Sequence, residues 1–282
     1  MFDPLRFTVI SVSPLHIAVL ASHEGTTLQA VLDACAGGRI PARVCLVISN
    51  NADSGALRRA RAAGVPALHL SAATSAPCAT SAHAASPHTP AALDEAIGAA
   101  LQANGADLVL LAGYMKPLGP RTLAHFAGRV LNTHPALLPG FGGRGMFGLH
   151  VHEAVLAAGA TRSGASIHLV EAGYDTGAVV AQVSVPVEHG DTPRSLAARV
   201  QTAERELLVE VLGRIARPLE QAGTHGSATQ APGHLQPSPL QAQDAASGGR
   251  AGGMDPPEPL LAGITARIAA AAERRTAAEV TS

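Results

Sequence analysis

Residues 107–112 read DLVLLA, an apolar run with no polar position alternating through it. A strand with one face in water alternates apolar and polar side chains, so this run predicts a strand covered on both faces. Other short apolar runs flank it, and segments with helical spacing separate them. Residues 17–21 form a strand ending at Ser22-His23-Glu24-Gly25, and residues 26–35 carry Leu28, Val31 and Leu32 at helical intervals. Residues 44–49 and 66–70 read as further strands, with helices over 54–63 and 91–102. Residues 129–133 form another strand. Strands alternating with helices in this way predict an α/β fold: a mostly parallel central sheet with helices on both faces.

Downstream of Asp175 the pattern changes. Residues 178–185 read as a strand pairing with 166–170. Asp191 or Thr192 caps a long helix with Pro193 in its first turn and Leu196, Val200, Leu207, Val211 and Ile215 on its buried face. The compact domain is expected over 17–217, after a short leader at 1–16. Residues 71–90, rich in Ala, Ser, Thr, His and Pro, suggest an irregular surface loop. Residues 218–259 read as a linker; within them 223–257 hold too little apolar area to offset the entropy of ordering and are expected to be disordered. Residues 260–282 contain an Ala-rich helix with Leu261, Ile264 and Ile268 on one side.

Of the 282 residues, 47% are hydrophobic but only 2% aromatic, so a large core must be built from Ala, Val, Leu and Ile. The net charge of −1 gives no general attraction to nucleic acid or to an anionic membrane; an anionic ligand needs a local site. No run approaches the roughly 18 apolar residues that span a bilayer. Cys35, Cys45 and Cys78 have no CxxC spacing and cannot all pair, which suggests neither a zinc site nor a disulfide framework and fits a reducing cytoplasm.

Chemistry concentrates at the strand ends. In Asn132-Thr133-His134-Pro135 the amide and the imidazole share side-chain parity and point to the crevice at the carboxyl ends of the strands. One can hold a carbonyl oxygen while the other moves a proton. A strand-end Asn and His satisfied by backbone groups remains equally open on these residues. Gly25-Thr26-Thr27 opens a helix and can bind phosphate, or serve as an ordinary N-cap; it is neither GxGxxG nor a Walker loop. Asp175 lies in a Gly-flanked loop where a surface turn is the common explanation. Gln201 and Glu204 are neighbours on one helix face, which solvation alone would explain. The glycine-rich stretch 140–148 can be a lid, a substrate-shaped loop or a plain connection. The His-x-His pair of His150 and His152 is weak evidence for a metal, so none is predicted.

In their order and spacing these segments resemble the phosphoribosylglycinamide formyltransferase family of purine synthesis. The resemblance covers about 17–217 and rests on VLASHEGTTLQAVLDAC, DLVLLAGYMKPL, NTHPALLPGFGGRGMFGLHVHEAVLAAG, SGASIHLVEAGYDTGAVVAQ and ARVQTAERELL. It implies a Rossmann-like formyltransferase fold, glycinamide ribonucleotide and 10-formyltetrahydrofolate as small-molecule substrates, a cytoplasmic setting and no metal; a homodimer is compatible with it. Carried over by position, it implies Asn132, His134 and Asp175 as catalytic residues. Gly25, Thr26, Thr27, Gln201 and Glu204 would hold the ribonucleotide, and Met115, Lys116, Leu118, Val170, Glu171 and Tyr174 the folate. The phosphate loop departs from the usual Gly-x-Gly-Ser-Asn form, and the glycine-rich loop is longer than in many members. Two other formyl-folate enzymes are alternatives: methionyl-tRNA formyltransferase, which would need a basic C-terminal domain, and formyltetrahydrofolate hydrolase, which would need an N-terminal regulatory domain. A catalytically silent binding or scaffold protein is a third.

Overall fold

The computed structural model describes residues 14–72, 89–224, 253–254 and 258–280. Most of the leader, most of the expected loop at 71–90 and most of the expected linker lie outside them. The first half runs β1 (Leu15–Leu20), α1 (Thr26–Ala36), β2 (Ala42–Ser49), α2 (Gly55–Ala62), β3 (Ala67–His69), α3 (Pro90–Ala103) and β4 (Leu108–Leu111). The second half runs α4 (Pro120–His125), β5 (Val130–His134), α5 (Leu149–Ala157), β6 (Arg162–Leu169), β7 (Val179–Pro186), α6 (Pro193–Thr224), β8 (Gly253–Met254) and α7 (Glu258–Val280).

The strands form one sheet in the order β3-β2-β1-β4-β5-β6-β7-β8. The first five are parallel; β5/β6, β6/β7 and β7/β8 are antiparallel. The chain leaves β1 toward β2 and β3 and returns on the other side of β1 as β4. That reversal opens a crevice at the C-terminal ends of β1 and β4, where α/β sheets place ligands.

Side-chain parity explains the apolar run. Leu108 and Leu110 join Ile17 and Val19 in a core shared with α1, α6 and α7, while Val109 and Leu111 join Ala18 and Leu20 in a second core with Ile97, Leu101 and Phe126. One strand thus serves both faces, which leaves no place for a polar residue. At the turn from β1 into α1, Gly25 adopts φ 69°, and a Cβ there would sit 2.7 Å from the Ala56 Cα. Glycine is required by both facts. At the start of α6, Thr192 Oγ1 accepts the Ser195 N–H at 3.1 Å, so Thr192 is the cap.

The C-terminal region differs from expectation. The boundary near Arg217 falls inside α6, which continues through Pro218 to Thr224. β8, within the segment expected to be disordered, pairs Gly253 and Met254 with Val183 and Gln182 of β7. α7 buries Leu261, Ile264 and Ile268 in the same core as Leu208 and Leu212 of α6, and Glu258 at its start pairs with Arg214. The apolar side of this helix was legible in the sequence; its partner, a face of α6 left over after that helix covers the sheet, was not.

Candidate active site

The crevice opens into a cavity of about 840 Å³. Loops from both sides of the switch point form its walls, and α6 closes one side. All fourteen site residues expected from the sequence line it, from Gly25, Thr26 and Thr27 at one end to Met115, Lys116, Leu118, Val170, Glu171 and Tyr174 at another.

At its floor, β5 ends on Asn132 and His134. His134 is buried, and its Nε2 lies 2.6 Å from the Phe141 carbonyl oxygen, so this nitrogen carries a proton and donates it. Nδ1 then faces Asp175 Oδ2 at 3.6 Å, too long for a hydrogen bond but within ion-pair range if the ring is protonated. Burial pushes the His134 pKa down, the Phe141 carbonyl and the Asp175 charge push it back up, and the charge of His168 lowers it again; the net position is below the ordinary histidine value. At neutral pH Nδ1 is therefore a vacant proton acceptor beside a carboxylate.

Asp175 has positive φ, 53°, in its loop. The Gly143 N–H donates to its Oδ2 at 2.9 Å, which ties the glycine-rich loop to the reacting groups. Burial alone would raise this carboxyl, but hydrogen bonds from His168 and Gly143 and the charges of His134 and His168 outweigh it and hold the pKa below the usual value.

His168 was not singled out in the sequence. Antiparallel pairing of β5 with β6 puts it directly opposite Asn132, and the Asn132 amide nitrogen lies 3.0 Å from its Nε2. The same Nε2 lies 3.4 Å from Asp175 Oδ1, while Nδ1 lies 2.8 Å from the Leu169 carbonyl and donates to it. A neutral His168 accepts from Asn132; a protonated one donates to Asp175. The ring is the junction between the amide and the carboxylate. Its only signal in the sequence is a histidine inside an apolar strand, and only register makes that informative.

At the far wall Glu204 of α6 is buried and accepts the Thr27 hydroxyl at 3.2 Å. Burial raises its pKa against the opposing pull of the Thr133 and Thr27 hydroxyls. Gln201, one turn earlier, is exposed to the same cavity. Glu24 in the loop before α1 lies 3.6 Å from Arg58 of α2, which offsets its negative charge at this end.

The two histidines of the His-x-His pair diverge. His150 is exposed and contacts Glu153 Oε2 at 3.1 Å, whereas His152 is buried and lines the cavity. Among the described residues no group of three His, Cys, Asp or Glu side chains is placed to hold a metal ion, and no helix is long and apolar enough to cross a membrane.

Residues 15–212 match the family model described as formyl transferase. The phosphoribosylglycinamide formyltransferase of Mycobacterium tuberculosis is 42% identical over 226 residues, covering 80% of this chain and 92% of that protein. The chloroplastic phosphoribosylglycinamide formyltransferase of Arabidopsis thaliana is 40% identical over 199 residues; the match covers 71% of this chain and 64% of the plant protein's length. The crystal structure of glycinamide ribonucleotide transformylase 1 from Symbiobacterium toebii superposes with a TM-score of 0.63 at 41% identity, over 73% of this chain and 89% of that one. By its strand order, its cavity at the switch point and these matches, the chain belongs to the formyl transferase family and groups there with the phosphoribosylglycinamide formyltransferases.

Proposed function

We propose that the protein transfers the formyl group of 10-formyltetrahydrofolate to the amine of 5'-phosphoribosylglycinamide. The observation that carries this reading is the cluster of Asn132, His134, His168 and Asp175 at the floor of one cavity, with a helix N-terminus at one end and an apolar edge at another. The ribonucleotide would lie along Gly25, Thr26 and Thr27 with its amine toward Gln201 and Glu204. The folate would lie along Met115, Lys116, Leu118 and the loop carrying Val170, Glu171 and Tyr174.

The amine attacks the formyl carbon, a C–N bond forms, and negative charge moves to the formyl oxygen. The Asn132 amide, fixed at one N–H by His168, has a second N–H for that oxygen. His134 takes the proton lost by the nitrogen at Nδ1, directly or through water, with Asp175 as the counter-charge. Cleavage of the bond to N10 and return of a proton to that nitrogen release tetrahydrofolate.

Purified protein mixed with both substrates should form tetrahydrofolate, and His134→Ala should lower kcat by about a hundredfold or more. Absence of turnover in the wild type, or an undiminished rate in the variant, would overturn the reading. The proposed setting is the cytoplasm, in keeping with a free thiol at Cys35. A homodimer is the proposed assembly, and light scattering tests it.

A further inference from the structure

The cavity has a second polar corner that this chemistry does not use. α5 begins after Gly148, which offers no side chain to cap it, so the N–H groups of its first turn have no partner within the helix. Gly148, Leu149 and His152 all line the cavity. His152 is the fourth residue of the helix, and side chains on a helix lean toward its N-terminus, which carries this ring back over the open first turn. It is 2% exposed, and its Nδ1 has no hydrogen-bond partner. A buried nitrogen in that state is destabilising unless something else satisfies it.

The loop that delivers the chain to this corner supplies a cation. Arg144 is exposed, lines the same cavity, and makes no hydrogen bond or ion pair among the described residues. Its neighbour Gly143 is anchored on Asp175, which keeps the loop beside the reacting groups. Lys116 is the other Lys or Arg in the lining, and it stands in the loop after β4. An uncommitted guanidinium, an open helix N-terminus and an imidazole with a partnerless Nδ1 line one cavity. The first two favour negative charge, and the neutral imidazole can donate to an anion from Nδ1 when that nitrogen carries its proton.

We propose that Arg144, the first-turn N–H groups of α5 and His152 form an anion subsite that takes a phosphate or carboxylate group of a substrate. The proposal rests on the formyl-transfer reading for the identity of that substrate: the ribonucleotide carries a phosphate monoester, and the folate carries glutamyl carboxylates. It makes the glycine-rich loop a ligand-binding element as well as a connection.

The test uses the full chain with Arg144→Gln, Arg144→Lys and His152→Asn, and measures KM for each substrate separately. Arg144→Gln should raise KM for one substrate about tenfold, with a smaller effect on kcat, and Arg144→Lys should recover part of the loss. A rise for the ribonucleotide assigns the phosphate; a rise for the folate assigns the carboxylate. No change in either KM, or a loss confined to kcat, overturns the subsite. Because Arg144 is exposed, its variants keep the test decisive even if His152→Asn fails to fold. If the wild type shows no turnover, the formyl-transfer reading fails and the subsite is tested by titrating inorganic phosphate and free glutamate into wild type and Arg144→Gln. Weaker binding of either by the variant supports the subsite; equal binding of both overturns it.

Discussion

His134 and Asp175 are both without their titrating proton at neutral pH, one neutral and one charged, but for different reasons. Burial holds the imidazole below its ordinary value, and donors around the carboxylate hold that group below its own. The neutral imidazole is the competent base, so activity is lost as pH falls through the His134 pKa. The acid limb of kcat/KM should therefore lie below pH 6.5, the ordinary histidine value. Asp175→Asn removes a charge that holds this pKa up, so the limb should move further toward acid while kcat falls. A pH profile checks both; a wild-type limb above the ordinary value would contradict the assignment. Glu204 titrates in the opposite sense. Its folded pKa is raised, so at low pH both folded and unfolded chains are protonated and nothing is lost. As pH rises past the ordinary Glu value of 4.5, the unfolded chain ionises freely while the folded one must ionise in a buried site. Glu204→Gln should therefore melt at the same temperature as wild type near pH 4. It should melt higher at about pH 8, and with weakened substrate turnover. Equal melting at the higher pH would refute a burial cost.

Among the elements, β6 and α7 were the hardest to interpret from sequence, for different reasons. The strand character of β6 is plain, yet its value to the site comes from register: a one-residue slip would turn His168 away from Asn132 and toward the opposite face. α7 reads as a helix with one apolar side, and Leu261, Ile264 and Ile268 are all buried against α6 and the main core. Ile264→Ala should destabilise the protein by about 2–4 kcal/mol. Chemical denaturation measures this, and a loss near zero would mean that α7 lies outside the cooperative unit. Truncation at Arg217 would cut α6 as well as remove this cover, so it is expected to cost stability.

For the whole molecule, fold class followed from local rules, while the set of site residues came from the resemblance to the formyltransferase family. Runs of uninterrupted apolar residues require two-sided cover, helical spacing supplies it, and parallel connectivity puts functional side chains at the strand ends. Asn132 and His134 are two apart on one strand, and Gln201 and Glu204 three apart on one helix, so their shared faces are matters of backbone period. The links from Asp175 to His134, from Asn132 to His168 and from Thr27 to Glu204 join residues 36 to 177 positions apart. No periodicity reports such distances. The same holds for Arg144 and His152, which the sequence places in a glycine-rich stretch open to several readings and in an unconvincing metal pair. The sequence by itself determined the main strands and helices of the sheet, the amide and imidazole at one strand end and the carboxylate in a glycine-flanked loop, because these depend on backbone period and side-chain chemistry. Only the tertiary structure decided which of those groups meet, which are buried and which nitrogen is left without a partner, because register, burial and loop closure are properties of chain segments brought together from far apart.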